Sequence, residues 1–111
     1  MARYLISFDD GAMTFPEEEL SDVSDAAHAV IQEAKDAGVY VFSGGLEDHE
    51  AVSVVATDGT VTNSPESKAY IGGLTVVDVP SRKEALEWAA KIAVACRCAQ
   101  EVREFGYDPA A

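Results

Sequence analysis

The stretch IGGLTVVDVPSRKEALEWAAKIAVACRCAQEVREFGY, residues 71 to 107, reads as strand, turn, helix, strand. Ser81 stands three residues before Glu84, the spacing of a capping box. The Ser hydroxyl can cap the helix N-terminus while the Glu carboxylate reaches back. Pro80 cannot donate to a strand ladder and holds Val79 extended, so the strand ends there. In the helix, Leu86, Ala89, Ala90, Ile92, Ala93 and Cys96 line an apolar side, and Glu84, Glu87 and Lys91 the outer one. Glu87 and Lys91 are spaced for a favourable i, i+4 pair. Trp88, the largest side chain, is expected to anchor the core, with an interface as its second place. Gln100 to Phe105 reads as the closing strand and Asp108 to Ala111 as a free tail.

Outward from that stretch, Arg3 to Phe8 alternates Tyr4, Ile6 and Phe8 on one face with Leu5 and Ser7 on the other, a short strand. Asp9, Asp10 and Gly11 form a turn. Pro16 followed by three glutamates resembles a first helical turn, and both one kinked helix and a turn plus a helix fit. From Ser21, the residues Val23, Ala26, Ala27, Val30, Ile31 and Ala34 make one apolar helical stripe that Gly38 ends. Val39 to Ser43 is a second strand. Gly44 and Gly45 behind it signal a bulge, or a close backbone approach by a ligand. Ala51 to Thr57 is a third strand, turned by Asp58-Gly59 into a pairing segment at Thr60 to Thr62. Tyr70 to Val79 follows after a polar loop.

Strands and two helices in this order predict an α+β fold, a ferredoxin-like βαββαβ sandwich with both helices on one face of an antiparallel sheet. A sheet with one wet face should alternate cleanly, yet VYVF, AVSVVA and LTVV are apolar at adjacent positions. Both faces are therefore expected to be covered. With only two helices available, the cover is a second copy: a homodimer, sheet to sheet or joined edge to edge into an α/β barrel.

Residues 1–111 are expected to form a single domain. Twenty acidic against eight basic side chains give a net charge of −12, which repels phosphate backbones and anionic lipid and argues against nucleic-acid or membrane-surface partners. The apolar runs fall short of the roughly 18 residues that span a bilayer. MARYLISF lacks a signal peptide's long apolar segment, so a cytoplasmic location is expected. Cys96 and Cys98 have neither the spacing nor the companions of a redox or zinc site and read as buried thiols. No phosphate loop, GxSxG, HExxH or Walker motif is present, and no cofactor or metal is expected.

The run Tyr70 to Val79, then Ser81, Glu84 to Ala89 and Glu101-Val102-Arg103, resembles the YCII-related proteins, and within them the DGPF-domain branch. Arg3 to Phe8 and Ala37 to Leu46 fit as well, so the resemblance covers nearly the whole chain. It implies a small dimeric α/β barrel with a cleft between subunits. The sequence departs at the namesake loop, where Thr62-Asn63-Ser64-Pro65 runs directly into Glu66-Ser67-Lys68 without the Phe.

The resemblance implies one of two functions: a dimeric domain binding a small molecule near the interface, or a cofactor-independent lyase or isomerase like the muconolactone dehalogenases. For the second, a helix-one histidine paired with an aspartate is the implied general acid/base, and His28 lies in the comparable region. His28 sits at the edge of its apolar stripe, and its bland reading is a solvent-facing histidine. Asp10, or Asp9 beside it, is the candidate partner carboxylate. Phe8, Asp9, Phe42 and Ser43, at strand ends, are the candidate ligand-lining residues, with aromatic core as the alternative for the two Phe. His49, within Glu47-Asp48-His49-Glu50, reads as part of a mobile acidic loop before it reads as a cation ligand.

Overall fold

The computed structural model describes residues 1–48, 51–63 and 70–110. Six strands and two helices follow the chain: β1 Ala2–Asp9, α1 Leu20–Asp36, β2 Tyr40–Gly45, β3 Ser53–Val55, β4 Val61–Asn63, β5 Ile71–Val79, α2 Arg82–Cys96 and β6 Glu101–Glu104. Four strands pair antiparallel in the order β2-β5-β1-β6, the ferredoxin-like arrangement. The strand expected at Ala51 to Thr57 does not join them. It shortens to β3 and pairs only with β4, in a separate two-stranded ribbon. The Asp58-Gly59 turn outcompetes longer-range pairing: Gly59 takes φ 89°, and Asp58 accepts from the Thr60 N–H at 2.8 Å. Val55 and Val61 stay more than half exposed on this ribbon.

The core lies between one face of the sheet and the helices. Tyr4 and Ile6 of β1 and Val77 and Val79 of β5 meet Ala34, Ala85, Ala89, Ile92 and Cys96. Leu86, expected in the stripe, is exposed, and the smaller Ala85 is fully buried in its place. A side chain without a γ carbon lets α2 approach the sheet closely. Trp88 is half-buried against the core, with the Lys91 ammonium 5.0 Å from its ring centre. Lys91 does not close the expected pair with Glu87. It reaches across to Glu33 and ties the two helices together.

Half of the expected capping box forms among the described residues, without a return bond from the Glu84 carboxylate. The Ser81 hydroxyl accepts from the Glu84 N–H at 3.3 Å, worth about 1 kcal/mol. Glu17–Glu19 form a 3₁₀ turn that runs straight into α1, so the two helical alternatives merge. Gly38, at φ 75°, closes α1 in a Schellman motif, with Val39 N–H donating to Ala34 and Gly38 N–H to Lys35.

Two bulges shape the sheet, and neither is at Gly44-Gly45. One is at Val41, between Tyr40 and Phe42. The other is Gly72, the extra residue where Phe8 faces Gly73 and Asp9 faces Ile71. Gly73 leaves room for the Phe8 ring: a Cβ there would meet its Cε1 at 2.6 Å.

Both thiols are free, Cys96 buried and Cys98 half-buried. Burial pushes the Cys96 thiol up, with Cys98 adding to it; burial also raises Cys98, opposed by a hydrogen bond from Gln100. Because folding holds the proton, this contribution to stability is whole below the ordinary thiol value of 9.0 and is lost as pH rises through the raised one. Iodoacetamide at pH 8 should therefore label Cys96 far more slowly in the native chain than in urea, and equal rates would contradict this burial.

Candidate functional site

Residues opposite each other across the ladders share a face, and this places the face turned away from the helices. There Arg3 lies opposite Asp78, Leu5 opposite Val76 and Arg103, Ser7 opposite Leu74, and Phe42 opposite Val76. Leu5, Val41, Leu74 and Val76 are half-buried, and Phe42 is 59% exposed. The molecule measures 45 × 43 × 17 Å. Its smallest dimension is that of one helix layer on one sheet.

A groove of about 640 Å³ opens on that face, within the size range of small-molecule sites. Its floor is Val41 and Val76. Arg3, Asp78, Asp108 and the N-terminal amine of Met1 bring its charges, Glu104 borders it from the helix face beside Tyr4, and Phe105 and Tyr107 stand at its edge. Each part has a local cause. The bulge puts Val41 into the groove, and the Phe105 N–H donates to the Arg3 carbonyl at 2.9 Å, holding the chain after β6 against β1. Glu104 accepts from the Tyr4 hydroxyl at 3.1 Å. Burial first, and that hydrogen bond second, raise the Tyr4 phenol above its ordinary value. Asp78 differs from the other acids: its Oδ1 is buried and has no hydrogen-bond partner among the described residues. Arg3 forms no ion pair with it there. A desolvated, unmatched carboxylate oxygen is costly, and such groups mark places where a partner is missing.

A second groove, of about 610 Å³, runs between the helices over Val23, Ala26, Val30 and Val94. Three of its four lining charges have partners, Lys91 and Glu33 in each other and Arg97 in Glu19, to which it donates at 3.1 Å; Asp22 is the fourth.

The residues singled out from sequence do not converge. Phe8 and Ser43 lie on the helix side of the sheet, Phe8 over Gly73 and Ser43 bonded to the Tyr40 hydroxyl at 2.8 Å. Asp9 closes β1 at the bulge, and the Asp10 N–H donates to the Tyr70 carbonyl at 2.9 Å. Phe42 faces the other way. His28 is exposed on α1, and the Ser24 hydroxyl lies 3.4 Å from its Nδ1. It lines neither groove. His49 and Glu50, and the altered loop from Ser64 to Lys68, lie outside the described residues. Asp78 and Arg3 carried a usable signal: a lone acid in TVVDV, placed by alternation opposite Val77 and Val79, faces away from the core.

The profile of the YCII-related domain matches residues 2–105. The chain belongs to the YCII-related family. No curated protein matches it. Among solved structures, this YCII-related chain is similar to the 5-chloro-2-hydroxyhydroquinone dehydrochlorinase of Burkholderia phenoliruptrix AC1100, solved in complex with 2,5-dihydroxybenzoquinone. The TM-score is 0.53 at 16% identity, covering 96% of this chain and 95% of the other. That likeness is one of fold. Among the described residues of this YCII-related domain, no helix is long and apolar enough to cross a membrane.

Proposed function

We propose that this YCII-related domain binds a small molecule in the groove on its uncovered sheet face, and that it works as a homodimer whose second copy covers that face. The buried, unpaired Oδ1 of Asp78 in a groove of about 640 Å³ carries this reading. The dimer is supported by the apolar surface at Leu5, Val41, Phe42, Leu74 and Val76, which the chain's own helices leave bare. A sheet-to-sheet pair closes the two-layer unit into the barrel and sets the groove at the edge of the interface. We assign the chain to the DGPF branch on Glu101-Val102-Arg103 after an alanine-rich helix, and to the cytoplasm on its two free thiols.

The test is thermal stabilisation by a mixed small-molecule library, followed by two variants. A ligand at one hundred times its Kd adds about 2.7 kcal/mol to stability. Gly106 lines the groove, and a Cβ on it would meet nothing within 4 Å, so Gly106→Trp should fill the groove without harming the fold. Hits should lose their effect in Gly106→Trp and keep it in His28→Ala. The opposite pattern would move the site to α1 and support the lyase reading, with His28 as general acid/base and Asp10 as its partner.

A further inference from the structure

We infer that the β3–β4 ribbon is an arm that packs on a second copy of this chain and closes the open end of that copy's groove. This rests on the homodimer of the proposed function. The ribbon finds no cover on its own chain: every residue from Ser53 to Asn63 is exposed. By register Val55 stands opposite Val61 and Ser53 opposite Asn63, so these four share one face. The two valines, 64% and 55% exposed, make an apolar pair there, and the Ser53 hydroxyl ties the strands by donating to Asn63 Oδ1 at 2.6 Å. A lone two-stranded ribbon is marginal in water and takes its stability from a surface beneath it. This one does not lie over its own sheet. The molecule stays 17 Å thick, and its radius of gyration is 15.6 Å against roughly 13 Å for a compact chain of this length.

The second copy is the occupant because the sheet face alone is too small for a stable pair. Even at the nine-residue length of β5, four strands outline about 30 by 20 Å, roughly 600 Å². A stable interface takes about 800 Å² from each partner. One face of the ribbon covers about 170 Å², and each copy gives one ribbon and receives one, so the exchange brings the total above that size. The connections fix where the ribbon lands. It sits between the Gly45 end of β2 and the Ile71 start of β5, whereas the groove lies at the other end of those strands, at Val41 and Asp78. A two-fold axis crossing the strands at right angles sets the ribbon end of each copy over the groove end of the other. There Phe105 and Tyr107, 49% and 92% exposed, are the bare apolar edge that the Val55–Val61 face fits.

In the full 111-residue chain, p-benzoylphenylalanine placed at Val61 is irradiated in a mixture with heavy-isotope-labelled wild type, so that cross-links between copies are recognised by mass. They should join Val61 to residues 105–107 of the other copy, and the same probe at Val94 on α2 should give none. Cross-links confined to one chain, or running from ribbon to ribbon, overturn the proposal. Equal yields from Val61 and Val94 would be collisional and overturn it too. A chain that sediments as a dimer yet gives no link from Val61 keeps the homodimer and loses the arm; a monomeric wild type loses both. Val55→Asp combined with Val61→Asp changes exposed residues only, so circular dichroism should stay that of the wild type while dimerisation weakens at least about tenfold. An unchanged dimer affinity in that variant also overturns the arm. The cross-link stands even if the variant does not fold.

Discussion

Ile6→Ala should cost about 3–4 kcal/mol and lower the melting temperature by roughly 15 °C. Ile6 is fully buried at the centre of β1, opposite Thr75 on one side and Val102 on the other. Every layer of the fold meets there: two neighbouring strands beside it and the helices above. Removing three carbons leaves a cavity that a hydrogen-bonded central strand cannot collapse to fill. A domain of this size has a total stability of about 5–15 kcal/mol, so the change is a large share of it. Ile6→Val, which removes one methyl group, should cost only about 1 kcal/mol. Urea melts of the two variants check both numbers, and a small, equal loss for both would mean that β1 is not the centre of the core.

Gly72→Ala should cost about 2–3 kcal/mol for a different reason. A Cβ on Gly72 would sit 2.9 Å from the Asp10 Cα, 3.1 Å from the Asp10 N and 3.1 Å from the Asp9 O. All three are backbone atoms and cannot swing aside. They are pinned by the Asp10 N–H bond to Tyr70 and by the Leu46 N–H, which donates to the Gly72 carbonyl at 2.8 Å. Gly45→Ala is the matched control, since its Cβ would meet nothing within 4 Å. The same melts should show Gly45→Ala near wild type and Gly72→Ala well below it. Similar losses at both would show that chain entropy, and not the close approach, sets the cost.

These two positions show how unevenly the sequence declares its structure. Ile6 is legible because period-two alternation in RYLISF points it inward with Tyr4. The Ser81 cap and the Gly38 stop are equally local, and the four-stranded sheet follows from the order of the elements. The role of Gly72 is not legible, because its neighbour Asp10 is brought there by a strand pairing across 61 intervening residues. The paired glycines at 44 and 45 carry the same local signal and sit in plain ladder. Leu86 misled for a related reason: the helical wheel places it near the stripe, but close helix-to-sheet packing favours Ala85.

The candidate site follows the same division. The family resemblance points to His28 and to the aspartates at the end of the first strand, while residue chemistry alone reads His28 as solvent-facing. The groove's composition depends instead on a bulge at Val41, a tail tied to Arg3 and an orphaned Asp78 oxygen, all products of tertiary pairing. The expectation of a second cover rests on three apolar runs, of which AVSVVA lies outside the four-stranded sheet. In VYVF and LTVV the adjacent apolar residues divide between the two faces, and the helices cover one of them.

Sedimentation velocity at micromolar concentration tests whether that uncovered face is the working surface. The wild-type chain should sediment as a dimer, at twice 11.8 kDa. Phe42→Glu, on the open face, should sediment as a folded monomer, while Val94→Glu, 81% exposed on α2, should remain a dimer. A monomeric wild type, or a dimer that Phe42→Glu leaves intact, would contradict the account.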